Sequence, residues 1–103
     1  MNKIDVVEIA KTIKKPWSPI VITKVEDHVI REAIFKGSYR EESHKHDRFD
    51  EFFLVIKGNV QLTVEGKTHY LGPNQGLLVP KGKFHNPFAE KAAVVLLFEH
   101  EDI

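Results

Sequence analysis

From Ile20 to His100 the chain is a succession of short β-branched and aromatic runs, interrupted by glycine, proline or asparagine roughly every eight to twelve residues. The runs are Ile20 to Val25, Val29 to Lys36, Ser43 to His46, Glu51 to Lys57, Val60 to Glu65, Thr68 to Leu71, Gly76 to Val79, Phe84 to Ala89 and Ala92 to His100. About nine short strands predict an all-β sandwich or barrel. Lys57-Gly58-Asn59 and Glu65-Gly66-Lys67 have the chemistry of tight turns, because glycine supplies the positive φ that hairpins need.

The first nineteen residues read differently. Val6, Val7, Ile9, Ala10 and Ile13 fall on one broad face of a helical wheel, and Asp5, Glu8, Lys11 and Lys15 on the other. The helix is expected to stop at Pro16, and Pro16-Trp17-Ser18-Pro19 reads as a rigid turn whose tryptophan packs the helix down. The expected organisation is therefore residues 1–19 as helix and turn, and residues 20–103 as a single β domain.

Two runs, Phe52 to Ile56 and Ala92 to Phe98, are apolar at consecutive positions, whereas a strand with one face in water alternates. Both faces of these strands need cover. The helix can supply part of it, and a partner subunit laid against the outside, making a homodimer, is expected to supply the rest.

Composition narrows the function. Fifteen basic and fifteen acidic side chains give zero formal net charge, so no nucleic-acid partner and no anionic membrane is expected. Charges scattered over Met1 to Lys15 break any signal-peptide pattern, and no run approaches the ~18 apolar residues of a membrane span. A cytoplasmic location is the expectation. With no cysteine, thiolate nucleophiles and thiolate metal sites are excluded, and any metal must be held by nitrogen and oxygen.

Six histidines raise the question of whether they gather. His44 and His46, at i and i+2 of an extended segment, project from one face and can converge on one ion. Glu51 follows after Asp47-Arg48-Phe49-Asp50, long enough to fold back beside them. His85 comes after Pro80 and Gly82, which permit a tight reversal aimed inward. Three imidazoles and one carboxylate suit Mn, Fe, Co, Ni, Cu or Zn better than calcium or magnesium. Phe53, two residues after Glu51 and on its face, is a candidate cavity wall, while Asp50 points the other way as a turn or surface residue. His28, His69 and His100 are expected in solvent. Lys81 and Lys83 flank His85 as loop lysines that could steer an anion.

Gly37, His44, His46, Glu51 and Gly58, followed by Pro80, Gly82 and His85, resemble the two motifs of the cupin superfamily, in order and joined by a short linker. The resemblance implies a small jelly-roll barrel, a double-stranded β-helix, with a metal held by His44, His46, Glu51 and His85. Pro16-Trp17-Ser18-Pro19, Asp50 to Phe53, Val79 to Gly82 and His85 to Pro87 are similar to small single-domain cupins related to mannose-6-phosphate isomerase. The chain departs from the pattern at the spacing of Gly37 from His44, at Pro73-Asn74, and in lacking an asparagine four positions after His85. None of these is a ligand position, so the departures bear on subfamily chemistry.

Two classes of function follow. One is an enzyme dependent on a divalent transition metal and acting on a small polar organic substrate, as a sugar or sugar-phosphate isomerase or as a dioxygenase. The other is a non-catalytic module that binds or senses a small ligand. The sequence singles out no catalytic residue apart from the metal ligands, and no organic cofactor site.

Overall fold

The computed structural model describes residues 1–40 and 42–103. Among these, one helix and seven strands follow in order: α1 (Val6–Ala10), β1 (Ile20–Val25), β2 (His28–Ser38), β3 (Glu51–Lys57), β4 (Val60–Val64), β5 (Lys67–Leu71), β6 (Gly76–Val79) and β7 (His85–His100). The strands run β1-β2-β7-β3-β6, and β4 pairs with both β5 and β7. Every pairing is antiparallel. This is the expected all-β barrel with a short N-terminal helix.

The hairpin turns sit where glycine chemistry placed them. Glu65 and Gly66 have φ of 47° and 79°, the pair of positive values that lets Val64 and Lys67 close the β4–β5 ladder. At the β3–β4 turn Gly58 has φ of 89°.

Two expected strands, Phe84 to Ala89 and Ala92 to His100, are one strand, β7. Its first residues pair with β4, Val64 opposite His85, and its last with β3, Glu51 opposite Glu99. A straight run of that length would put His85 and Glu99 ~46 Å apart, beyond the 41 Å longest dimension of the molecule. The strand therefore bends. Pairing with β2 slips between Phe35 and Gly37, whose partners are Ala93 and Ala89, and the exposed Glu90, Lys91 and Ala92 stand out of the ladder there. The expected break survives as this irregularity.

Inside the barrel, Ala33 and Phe35 of β2, Phe53 and Val55 of β3, Val60 and Leu62 of β4 and Val95 and Leu97 of β7 form the core with Leu71, Val79, Ala89 and Ala93. On the outside, Phe52, Leu54 and Ile56 of β3 are only half-buried. One outer residue is anomalous: Glu32, between Ile20 of β1 and Leu96 of β7, is fully buried, and neither carboxylate oxygen has a hydrogen-bond partner among the described residues.

The N-terminal segment differs from expectation in two ways. Asp5 caps α1 by accepting from Val7 and Glu8 amides at 3.1 Å each, but the helix ends at Ala10, five residues short of Lys15. Thr12 Oγ1 donates to the Ile9 carbonyl at 2.7 Å, and three-residue turns replace helical bonding from Lys11 to Ile13. Val7, assigned to the apolar face, is exposed. Trp17 packs on the barrel: its ring stacks on Phe35 at 4.4 Å, its amide donates to the Ile34 carbonyl at 2.9 Å and its Nε1 to the Lys36 carbonyl at 2.8 Å.

Candidate metal centre

The four sequence-derived ligands reach one place from three parts of the chain. Glu51 and His85 open β3 and β7. Ser43 to His46 is no strand; His44 alone bridges to His85, donating to its carbonyl at 3.0 Å and accepting from its amide at 2.7 Å. The Gly82 amide donates to the His46 carbonyl at 2.8 Å, and the Lys81 amide to Asp50 Oδ1 at 2.9 Å. Gly82 reaches its position with φ of 80°, open to glycine without steric cost. The loop before β7 is thus clamped to the loop before β3 by main-chain bonds, and Asp50 serves that clamp as a turn residue.

One ring nitrogen from each of His44, His46 and His85 lies within 4.8 Å of the other two. Glu51 Oε1 stands 3.3 Å from His85 Nε2 and 3.6 Å from His46 Nε2. His85 Nδ1 lies 3.0 Å from the Lys83 carbonyl, which can only accept, so Nδ1 carries a proton and, in the neutral ring, Nε2 presents a lone pair. That lone pair faces the Glu51 oxygen without hydrogen-bond alignment, and both atoms, with His44 Nδ1, are buried and unpartnered among the described residues. Buried polar atoms are normally satisfied. Lone pairs converging with no donor between them, one imidazole oriented by a carbonyl behind it, fit a bound cation. The donor set of three nitrogens and one oxygen fits a divalent transition metal.

The local electrostatics set the three groups apart. Burial first, then the neighbouring His85, Arg40 and His46, push the His44 imidazole down to about 4, so at neutral pH it is in its ligating form. Burial alone would raise the Glu51 carboxyl, but His85, Glu99 and His46 outweigh it and hold Glu51 below its ordinary value. Burial pulls His85 down, and Glu51 together with the Lys83 carbonyl more than reverses that, so without an ion the protonated His85 is favoured beside Glu51, and a metal would take the place of that proton.

A cavity of about 300 Å³ opens beside the cluster, with Glu51, His44 and His46 on one side and Trp17, Phe35 and Phe53 among its walls. Phe53, expected as a wall, lies 5.9 Å ring to ring from His85. Sequence reasoning missed two of the lining residues, Arg31 of β2 and Glu99 of β7. Arg31 donates to Glu99 at 2.8 Å, and burial, reinforced by Glu51 and opposed by Arg31, pushes the Glu99 carboxyl up to about 8. The available signal was phase: Arg31 shares its face with Ala33 and Phe35, and Glu99 with Val95 and Leu97, all inward. His100, expected in solvent, is part-buried and stacks on Phe49 at 4.2 Å with planes 2° apart. His28 is exposed and His69 half-buried, both outside the cavity lining. A wider groove at the far end of β3, lined by Lys57, Asn59, Gln61 and Tyr70, holds no buried ionisable side chain.

The clamped loops, the barrel and the inward histidines define the chain's class. Residues 31–99 match the cupin domain family Cupin_2, and the chain belongs to it. It is 34% identical over 103 residues to YdbB of Bacillus subtilis (strain 168), covering 98% of this chain and 89% of that one. A cupin-2 domain protein from Shewanella frigidimarina superposes with a TM-score of 0.89 at 25% identity, over 94% of this chain and 93% of that one. Hydroquinone 1,2-dioxygenase from Sphingomonas sp. TTNP3, solved with 4-hydroxybenzoate bound, shares the fold with a TM-score of 0.79 at 18% identity, over 94% of this chain and 72% of that one.

Proposed function

We propose that the protein binds one divalent transition metal ion (Mn, Fe, Co, Ni, Cu or Zn) through His44, His46, Glu51 and His85, and acts as a metal-dependent enzyme on a small polar organic molecule in the adjoining cavity. The observation that carries this reading is the gathering of one ring nitrogen from each of His44, His46 and His85 within 4.8 Å of one another, with Glu51 Oε1 3.3 Å from His85 Nε2, beside an open cavity. A bound ion would polarise a carbonyl, stabilise an enediolate or activate oxygen, according to the metal. The chain's own part is to hold three neutral imidazoles and a carboxylate in place, to wall the cavity with aromatic rings and to supply Arg31 and Glu99 next to the reacting position. Isomerisation of a sugar or sugar phosphate and dioxygenation of a small organic substrate are the two reactions in view. The second fits the aromatic walls; the first rests on the similarity to cupins related to mannose-6-phosphate isomerase.

The test is elemental analysis of untagged protein, expected to give near one transition metal per chain, followed by oxygen-uptake and sugar-isomerisation screens on the loaded protein. A chain that is empty and refuses Mn, Fe, Ni, Cu and Zn overturns the reading. Metal without turnover in either screen favours the non-catalytic module that binds or senses a small ligand.

We also propose that the protein works as a cytoplasmic homodimer. Ile30, Phe98, Phe52 and Leu78 are consecutive partners across β2, β7, β3 and β6, an apolar row on the outer face in which Leu78 is 53% exposed. A second copy is the occupant suited to a row with no charge in it. No helix among the described residues is long and apolar enough to cross a membrane.

A further inference from the structure

We infer that the cavity beside the metal centre takes a small organic carboxylate, and that Arg31 is the residue that grips its carboxylate group. This deepens the function proposed above and rests on it for the neighbouring ion.

Arg31 stands on the inward phase of β2, between the buried Val29 and Ala33. An arginine in such a row needs acceptors. Glu99 takes one N–H at 2.8 Å, yet a guanidinium carries five donors in a planar fork. No other described residue accepts from it, and none of its nitrogens is an orphaned buried atom, so its remaining donors are open to solvent on a side chain that lines the cavity. A planar two-oxygen acceptor matches that fork.

Charge and shape narrow the class further. Arg40 lines the same cavity, so two guanidiniums and a divalent ion face Glu51 and Glu99, and the balance favours an anion. Trp17, stacked on Phe35, and Phe53, edge-on to Phe35 at 6.4 Å ring to ring, make the flanking wall apolar and aromatic. About 300 Å³ is the low end of ligand cavities, with room for one ring and its acid group. The site therefore suits a carboxylate on a flat apolar body better than a bare inorganic anion.

The protein reports on this cavity itself, because Trp17 is its only tryptophan and lines the wall. Benzoate and benzamide, equal in shape and different in charge, are titrated by Trp17 fluorescence into metal-free and metal-loaded protein, with inorganic phosphate as a third probe. Wild type is expected to bind benzoate at least tenfold tighter than benzamide in both states, and phosphate more weakly than benzoate. Arg31→Gln should abolish the preference while metal per chain, measured separately, stays unchanged; Glu99→Gln, which keeps Arg31 and frees a donor, should retain it. Equal binding of benzoate and benzamide by wild type, a preference that survives Arg31→Gln, its loss in Glu99→Gln, or phosphate bound more tightly than benzoate each overturns the inference. If Arg31→Gln does not fold, the comparison of the three probes on wild type decides. Failure of the metal reading looks different: no ion in any variant, whatever the fluorescence shows.

Discussion

Glu51 and Glu99 are direct cross-strand partners on β3 and β7, two buried carboxyl groups on one rung of the barrel. Two like charges at that separation are not both held cheaply away from water. The histidines keep Glu51 ionised, and Glu99, buried beside that charge with Arg31 donating to it, takes the higher value of about 8. The two residues should therefore respond differently to the same change. Glu51→Gln is expected to weaken metal binding at least tenfold, and Glu99→Gln to change it by less than that, measured by chelator competition. Equal losses would place Glu99 among the ligands.

His85 and His69 separate a ligand from a bystander. His44→Ala and His85→Ala are expected to lower metal content per chain and to remove the stabilisation that metal gives wild type, roughly 2.7 kcal/mol at a hundredfold excess over Kd. His69→Ala, on β5 and away from the cavity, should keep both. Thermal unfolding with and without added metal reads the difference.

Glu32 gives stability a pH dependence of definite sign. Burial, and secondarily Asp5, push its carboxyl up to about 7, against roughly 4.3 in an unfolded chain. Its contribution is complete below the unfolded value, declines as pH rises, and is lost once the folded value is passed. Urea unfolding of metal-free protein should therefore show lower stability at pH 8 than at pH 5 from this residue. Glu32→Gln should flatten the difference, and Glu32→Leu should stabilise the fold at pH 8 by about 1 to 3 kcal/mol, the cost of an unsatisfied buried group. A pH profile unchanged by both substitutions would show that Glu32 finds a partner in solution.

Leu78 tests the outer face. Light scattering at micromolar concentration is expected to give about twice the 11.9 kDa chain mass, and Leu78→Glu to reduce it to a single chain with the metal content retained. A wild-type mass of one chain removes the dimer.

The parts of the protein legible in the sequence are those with local chemistry. Glycine turns, the His44 and His46 pair, Glu51 and the Pro80-Gly82-His85 reversal each depend on a few adjacent residues; the turns form where expected, and the three histidines come together with Glu51 beside them. Arg31 and Glu99 are hidden in the sequence because a lone charge in a strand normally marks a solvent face, although their phase with Ala33, Phe35, Val95 and Leu97 is inward. Glu90 and Lys91 looked like the end of a strand because charge interrupts the apolar run; the pairing with β2 resumes beyond them. Ser43 to His46 forms no strand because its backbone pairs only at His44, through a single bridge to His85. His100 was misjudged because its cover, Phe49, comes from a distant loop.

The bend in β7 leaves slack at one point of an otherwise tightly registered ribbon. A residue inserted at Lys91 is absorbed among the unpaired Glu90 to Ala92, leaving His85 opposite Val64 and Glu99 opposite Glu51. The same insertion in either paired half would turn every side chain beyond it inside out. Added length in this strand is thus tolerated at one exposed corner, beside the groove at the far end of β3, without displacing the residues of the metal centre.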